Sequence, residues 1–255
     1  MPSLALAVSP HLDDAAFSAG GTLARLAAEG WDVVVATVFT ASVPQPTGFA
    51  LACQADKGLG PQVDYMALRR AEDAAACAAL GARVVWLPLR EAPHRGYGSA
   101  PELFGPVRGD DAGEAARVAE ALRPLLSGRS PDLVLAPQAV GGHVDHVQVV
   151  RALDLLRPLP CPVLWWTDWP YAARPRSHPA RPFAARFAAL PERGLAFDPA
   201  PKRAACAAYA SQLGFQFGGP EGLARDLDAA GAEERFREEG DSRRVLGGPA
   251  PRAAA

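Results

Sequence analysis

The sequence predicts an α/β fold: a single Rossmann-like domain with a mostly parallel sheet and helices on both faces. The first observation is that short apolar runs alternate with segments of helical period, the pattern of strands joined by crossover helices. The second is that these runs are continuous in Val, Leu and Ala, as in strands buried on both faces. The third is length, because 255 residues with 49% hydrophobic content suffice for one domain with a sizeable core.

Five apolar runs are predicted as strands: Leu4–Val8, Val33–Phe39, Val84–Leu87, Leu133–Ala136 and Val163–Trp166. The segments of helical period between and after them end at Gly or Pro, residues that stop helices. The predicted helices are Ala15–Glu29, Tyr65–Leu80, Gly113–Leu126, Asp145–Leu156 and a short one at Lys202–Leu213. The charged run Ala232–Gly240 is predicted to be a solvated helical face. Residues 167–201, rich in Pro and Arg, are predicted to be irregular.

Two long connections follow the carboxyl ends of predicted strands, Ala41–Asp64 and Arg90–Asp111. Loops of this length in a compact domain usually form lids or binding loops, so we expect them to set substrate specificity. The last residues, Gly247–Ala255, are predicted to be a disordered tail, and the domain is expected to span residues 1–246.

A histidine and two aspartates follow the first predicted strand, in the sequence SPHLDD at residues 9–14. In an open α/β sheet, ligands collect at the carboxyl ends of the strands. His11 and Asp14 are three residues apart at the turn into a helix, so both can face one metal ion, and both suit Zn²⁺. Asp13 can then stay off the metal, where its free carboxylate can act as a general base.

A second cluster, GGHVDH at residues 141–146, follows the fourth predicted strand. His143 and His146 stand at i and i+3, close to one face if the helix begins there. One imidazole can complete a metal site of three protein ligands, and the other can donate to a developing oxyanion. The spacing leaves open which ring does which. Asp145 can orient either ring through its second nitrogen.

The two clusters resemble the motifs of the PIG-L/LmbE-like N-deacetylases, zinc-dependent enzymes that remove acetyl groups from N-acetylglucosamine conjugates and related amides. The family's P-H-x-D-D motif is matched by residues 10–14, and its G-H-x-D-H motif by residues 142–146. Its R-R-x-E helix is matched at residues 69–72, and its K-x-x-A…S-Q helix at residues 202–212. The resemblance implies a zinc-dependent N-deacetylase that acts on an amino sugar, a glycoside or a related small-molecule amide.

Roles follow from this resemblance residue by residue. The implied metal ligands are His11, Asp14 and His146. The implied cofactor is Zn²⁺, with Fe²⁺ or another divalent ion as an alternative. Asp13 is implied to be the general base, and His143 to stabilise the oxyanion with Asp145 behind it. We expect His143 to do so as a cation.

Four further residues are expected to contact substrate. Arg69 lies in the R-R-x-E match. Asp168 and Tyr171 belong to the sequence TDWPY at residues 167–171, which resembles a family segment near the site. Tyr209 stands where many members of the family have a histidine before x-S-Q.

Other classes of protein fit the sequence less well. A nucleotide-binding Rossmann enzyme would have G-x-G-x-x-G in its first turn, where this chain has His and Asp. A serine hydrolase would have a G-x-S-x-G motif, which the sequence lacks. The remaining alternative is a non-catalytic or differently specialised Rossmann-like protein that binds sugar or nucleotide. Loss of Asp13 or of a ligand would have favoured it, and all are present.

The charge and the apolar pattern bound the partners and the location. A formal net charge of −2, with no basic block, gives no reason to expect nucleic acid or a membrane surface as partner. We therefore expect a small N-acetylated substrate, with a homo-oligomer left open. Four cysteines without a C-x-x-C pair predict reduced thiols. The chain has no run of ~20 apolar residues and no signal-peptide pattern, so the expected location is cytoplasmic.

Overall fold

The computed structural model describes residues 1–173 and 181–246, so the predicted tail lies outside the described residues. Its sheet contains the strands β1 (Leu4–Ser9), β2 (Asp32–Thr37), β3 (Arg83–Trp86), β4 (Leu133–Pro137), β5 (Val163–Trp166), β6 (Glu192–Ala196) and β7 (Glu233–Glu239). The strands lie in the order β3-β2-β1-β4-β5-β7-β6. Neighbours from β3 to β5 are parallel, whereas β7 runs antiparallel to β5 and β6. The predicted mostly parallel sheet is confirmed.

The helices of the described part are α1 (Asp14–Ala28), α2 (Gly48–Ala55), α3 (Tyr65–Ala79), α4 (Ala100–Leu103), α5 (Glu114–Ser127), α6 (Val144–Leu155), α7 (Ala184–Ala188), α8 (Pro199–Ala207), α9 (Ala210–Phe217), α10 (Pro220–Ala230) and α11 (Arg243–Leu246). Successive side chains of a strand point to opposite faces of the sheet. Ala5 and Ala7 of β1 pack in the core cluster that includes α1, α3 and α8. Leu6 and Val8 pack in the cluster that includes α5 and α6. Helices therefore cover both faces, as predicted.

The predicted helix bounds agree with α1, α3, α5 and α6 to within one residue at either end. Glycine accounts for the ends of the first two of these helices. Gly30 and Gly81 adopt φ of 87° and 70°, a left-handed conformation that ends a helix at little cost without a Cβ atom. The local signals therefore sufficed for these helices.

The charged run Ala232–Gly240 contradicts its prediction, because it forms strand β7 rather than a helix. Every second residue of the strand is buried, and Glu234 is one of these. Its carboxylate accepts hydrogen bonds from Nζ of Lys202 at 2.6 Å and from two backbone N–H groups of α1. Charged residues at buried positions hide the alternation of apolar and polar residues by which a strand is recognised in a sequence.

Two other regions also differ from their predictions. The single helix predicted at Lys202–Leu213 is two helices, α8 and α9, and α8 begins earlier. The side chain of Asp198 accepts a hydrogen bond from the backbone of Ala200, and Pro199 occupies the first turn, a favoured start for a helix. Residues 167–201, predicted to be irregular, contain α7 and β6 in their described part. β6 forms because β7, distant in sequence, provides its hydrogen-bonding partner.

The strand order creates one crevice at the carboxyl ends of β1 and β4. These strands are neighbours, and the chain leaves β1 toward β2 on one side before it returns through β4 on the other. Such a topological switch point is where open α/β sheets bind ligands. Both predicted clusters follow these two strand ends, so the fold brings them together.

The two long connections are not structureless. Ala41–Asp64 contains α2, and Arg90–Asp111 contains α4 and 3-10 turns at Ala92–Arg95 and Gly109–Asp111. Within residues 1–173 and 181–246, every helix falls short of the length and apolar character that a membrane span needs.

Candidate active site

The turn between β1 and α1 presents His11 and Asp14 to the crevice. The hydroxyl of Ser9 donates to the backbone oxygen of His11 at 2.7 Å and accepts from the backbone N–H of Ala15 at 3.0 Å. The backbone N–H of His11 donates to Oδ2 of Asp14 at 2.8 Å. Because these bonds join residues 9 to 15 to one another, the turn itself sets the positions of the His11 and Asp14 side chains.

His146 reaches the same point from the first turns of α6. Oδ2 of Asp14 lies 3.1 Å from Nδ1 of His11 and 3.2 Å from Nε2 of His146. Ligands of a tetrahedral zinc ion at roughly 2.0–2.2 Å lie roughly 3.3–3.6 Å apart, so these separations need only a small expansion to hold an ion. Nε2 of His146 is buried and makes no hydrogen bond of good geometry. The three residues therefore fit a divalent metal. A ring nitrogen of His143 also lies within 4.8 Å of those of His11 and His146.

In the set of candidate metal ligands, His11, Asp14 and His146, each histidine contacts a further carboxylate through the ring nitrogen that faces away from Asp14. Nε2 of His11 lies 2.9 Å from Oδ2 of Asp145, and Nδ1 of His146 lies 2.6 Å from Oδ1 of Asp168. A carboxylate on the far nitrogen fixes the tautomer and orientation of a metal-binding imidazole. Both contacts correct the sequence-based expectations. Asp145 stands behind His11 rather than His143, and Asp168 is fully buried behind His146 rather than facing substrate.

The electrostatics of this set favour a positive charge. Burial lowers the pKa of His146, but Asp14 and Asp168 outweigh it and raise the pKa to about 9. The pKa of His11 is likewise lowered by burial, yet Asp14 and Asp145 raise it well above its usual value. Burial raises the pKa of Asp14, but the two histidines hold it well below its usual range. The carboxylates therefore stabilise a proton or a metal cation at this point.

Asp13 lies beside the set without joining it. Its side chain is buried, and its Oδ1 is 3.5 Å from Nη2 of Arg69. Burial and the neighbouring Asp14 together raise the pKa of Asp13 to about 6, against the opposing charge of Arg69. A carboxyl with that pKa is suited to take and return a proton near neutral pH.

Arg69 is buried rather than open to the crevice. Its Nη1 donates to Oε1 of Glu91 at 2.5 Å, and its other nitrogen faces Asp13. Its guanidinium also lies 5.5 Å from the centre of the Tyr65 ring. The structure therefore places Arg69 beside the candidate base, and a contact with substrate stays a prediction. Glu91 was missed from sequence because no motif contains it.

His143 caps the N-terminus of α6. Its Nδ1 accepts a hydrogen bond from the backbone N–H of Asp145 at 3.2 Å. The proton of the neutral ring is then on Nε2, where it can be donated to an oxyanion. Burial and the neighbouring His11 lower the pKa of His143 to about 3. The lowered pKa favours the neutral ring over the cation expected from sequence, and a donor role for Nε2 fits the geometry.

Of the other residues expected at the substrate side, one lies at the crevice and one does not. The ring of Tyr171 meets the ring of His146 edge-on, with 5.7 Å between centres. Tyr209 is instead 1% exposed, packs on Phe17 and donates to Oδ1 of Asp73 at 2.7 Å. Its expected substrate contact is therefore wrong, because the tertiary packing turns this side chain into the core.

Phe104, in the connection Arg90–Asp111, is a site residue that sequence reasoning missed. Its ring lies edge-on to His143 at 5.3 Å and to Tyr171 at 5.9 Å between centres. The only signal in the sequence was its place in a long loop after the carboxyl end of a strand. One of the two expected binding loops thus contributes a wall to the crevice.

Comparisons with known proteins identify the family of the chain. The family GlcNAc-PI de-N-acetylase (PIG-L) matches residues 6–155, which include both clusters. A curated relative, 2′-N-acetylparomamine deacetylase of Streptomyces fradiae, is 36% identical over 171 residues, or 66% of this chain. The matched part spans 58% of that relative's length.

Two solved structures are similar over nearly the whole chain. The zinc-inhibited form of teicoplanin deacetylase has a TM-score of 0.75 and 27% identity, covering 92% of this chain and 97% of its own. The deacetylase of the A40926 pseudoaglycone has a TM-score of 0.75 and 28% identity, covering 93% and 98%. Since the family match spans more than half of the chain and contains every candidate metal ligand, this chain belongs to the GlcNAc-PI de-N-acetylase (PIG-L) family.

Proposed function

We propose that this chain is a metal-dependent N-deacetylase that hydrolyses an N-acetyl group on an amino sugar or a small glycoside. The observation that carries the proposal is the convergence of Nδ1 of His11 and Nε2 of His146 on Oδ2 of Asp14, at 3.1 and 3.2 Å, with Asp13 beside them. The relatives support the substrate class, because they are named as deacetylases of 2′-N-acetylparomamine, of teicoplanin and of the A40926 pseudoaglycone.

The ligands of the proposed metal are His11, Asp14 and His146. Two imidazoles and one carboxylate suit Zn²⁺ and also Fe²⁺, and we propose Zn²⁺ because it keeps an open position in catalytic sites of three protein ligands. A zinc-inhibited form of one relative, teicoplanin deacetylase, has been solved, which supports the choice of zinc only as an ion that affects a protein of this fold. When bound, such an ion polarises an amide carbonyl and lowers the pKa of water.

The chain's own residues then carry the proton transfers. Asp13 accepts a proton from the water that attacks the acetyl carbon, which its pKa of about 6 allows at neutral pH. Nε2–H of His143 donates a hydrogen bond to the oxygen that gains negative charge. As the C–N bond breaks, Asp13 returns its proton to the nitrogen, and acetate and a free amine leave. Tyr171 and Phe104 line the side from which the sugar approaches.

The test is release of free amine from a panel of N-acetylated amino sugars, with 2′-N-acetylparomamine and N-acetylglucosamine glycosides as probes. We expect turnover by protein loaded with zinc, loss of turnover after chelation, and recovery when zinc or iron is restored. His146→Ala should lose the metal, as elemental analysis would detect, while Tyr209→Phe should keep it. Metal-loaded protein that releases no amine from any member of the panel would contradict the proposal. Cytoplasmic location and a homo-oligomer stay predictions from sequence.

A further inference from the structure

Asp145 is a fully buried carboxylate with three partners. Its Oδ2 accepts from Nε2 of His11 at 2.9 Å and from the backbone N–H of Ala92 at 3.0 Å. Its Oδ1 lies 2.8 Å from Nη2 of Arg95. Ala92 and Arg95 belong to a single 3-10 turn in the connection between β3 and α5. A loop without a sequence motif therefore contacts the carboxylate that orients His11, a candidate metal ligand.

We propose that Arg95 is a positioning residue for the metal site, which holds the Asp145 carboxylate in place so that His11 presents Nδ1 to the ion. The inference rests on the proposed function, since it assumes that His11 binds a metal. No known motif of the chain includes Arg95, but three features of its contacts support this role.

The first feature is charge. An imidazole that binds a metal is neutral, so the guanidinium of Arg95 is then the full positive charge in direct contact with Asp145. Removing the guanidinium would leave the buried Oδ1 of Asp145 without this contact. Asp145 would then be held less firmly against Nε2 of His11, and the His11 ring would be less firmly directed toward Asp14.

The second feature is that Arg95 is itself rigidly held. Its Nε donates to Oδ1 of Asp111 at 2.8 Å and its Nη2 to Oδ2 at 3.0 Å, while Nη1 donates to the backbone oxygen of Arg90 at 2.6 Å. Its guanidinium lies 4.9 Å from the centre of the Phe39 ring. The planar guanidinium of Arg95 donates to Asp111 through two nitrogens while Nη2 also lies against Oδ1 of Asp145, and the single ammonium of a lysine cannot reproduce this geometry.

The third feature is a link back to α6, the helix that carries Asp145 and His146. Nε2 of Gln148 donates to the backbone oxygen of Asp111 at 2.8 Å. The loop is therefore joined to α6 at two points, by the contact of Arg95 with Asp145 and by the hydrogen bond of Gln148 to Asp111. Because the same loop carries Phe104 against His143, the wall of the crevice and the metal site share one support.

The test is the affinity for Zn²⁺, measured by competition with a chromophoric chelator on wild-type protein, Arg95→Met, Arg95→Lys and a control. The control is Arg193→Met, which removes a buried arginine paired with Glu238 at 3.6 Å, in strands away from the crevice. Loss of an outer partner of a metal ligand typically weakens binding 10–100-fold. We expect a loss of ~10–100-fold in Arg95→Met, a smaller loss in Arg95→Lys and no change in Arg193→Met.

A spectroscopic readout separates positioning from general loss of stability. The absorption spectrum of bound Co²⁺ reports the geometry of its ligands, so it should change in Arg95→Met and stay unchanged in Arg193→Met. If Arg95→Met does not fold, Asp111→Asn replaces it, because it loosens the guanidinium without removing it, and should weaken Zn²⁺ binding in the same direction.

The outcomes are distinct. A folded Arg95→Met or Asp111→Asn variant that binds Zn²⁺ as tightly as the wild type would overturn the role of Arg95 alone. An equal loss in Arg193→Met would also overturn it, because the effect would then be one of stability. A wild-type protein without affinity for Zn²⁺, Fe²⁺ or Co²⁺ would overturn the metal site and this inference together.

Discussion

Asp168 and His146 form one of the most buried polar contacts of the protein: Oδ1 of Asp168 lies 2.6 Å from Nδ1 of His146, and each side chain is 1% exposed. The other oxygen of Asp168 accepts from the backbone N–H of Val140 at 2.9 Å. The carboxylate is therefore fixed by the loop after β4 and fixes the ring in turn. Nε2 of His146 is left to face Asp14.

Replacing Asp168 by Asn should weaken metal binding ~10–100-fold, because the amide keeps the shape but loses the charge that orients a metal-binding imidazole. Chelator competition for Zn²⁺ measures the effect. Tyr171→Phe is the matched control, since it alters a residue that touches the same ring from the open side. Equal affinity of Asp168→Asn and the control would show that this carboxylate does not orient the ligand.

Replacing Asp13 by Asn should cut turnover by about 10² to 10⁴ and leave the metal bound, because Asp13 is the proposed base and not a ligand. The dependence of turnover on pH gives a second test of this role. Asp13 must be ionised to accept a proton, so activity of the wild type should rise as pH increases through about 6. That limb should be absent from the residual activity of Asp13→Asn. If the variant loses zinc and Asp14→Asn keeps it, the two carboxylates have been assigned the wrong way round.

Metal binding should release protons. In the metal-free protein the pKa of His146 is raised to about 9, so its ring is charged at neutral pH, whereas a ligand must be neutral. Affinity for zinc should therefore increase as pH rises from about 6.5 to about 9. Titration calorimetry in two buffers of different ionisation enthalpy counts the released protons. Heats that do not depend on the buffer would contradict the charged ring.

The same shift affects the stability of the metal-free protein. A pKa raised above its unfolded value stabilises the fold at pH below that unfolded value, near 6.5 for histidine, and the contribution disappears as pH rises through about 9. Metal-free protein should therefore lose thermal stability across this interval, while zinc-loaded protein should change less. Melting temperatures of both forms at several pH values test the sign.

Replacing His143 by Ala should retain zinc and remove about 2.7–4 kcal/mol of transition-state stabilisation, the usual effect of deleting an oxyanion donor. Because burial and His11 hold the pKa of His143 at about 3, the ring is neutral throughout the working range. Any fall in activity at alkaline pH (the alkaline limb of the pH profile) should then be the same in the variant and in the wild type. Phe104→Leu, which changes a neighbour of the ring without removing a donor, is the control. An alkaline limb that vanished with His143 would restore the cationic role.

Local patterns in the sequence determined the parallel strands, the four main helices and the positions of both clusters. These features depend on residues a few positions apart: continuous apolar runs, glycines that end helices, and the turn closed by Ser9 around His11. The resemblance to a family implied that His146 is the metal ligand of the second cluster, and the structure brings that ring to Asp14.

Only the tertiary structure decided which carboxylate holds which ring. Asp145 is adjacent to His146 in sequence, yet it holds His11, 134 positions away. Tyr209 stands in a family motif, yet the packing of α9 turns it to Asp73 in the core. The charged run of β7 can form a strand because Lys202 and two backbone N–H groups of α1 bind the buried carboxylate of Glu234. The physical reason is common to all three: these contacts depend on strand order and helix packing, which bring together groups that no local spacing relates.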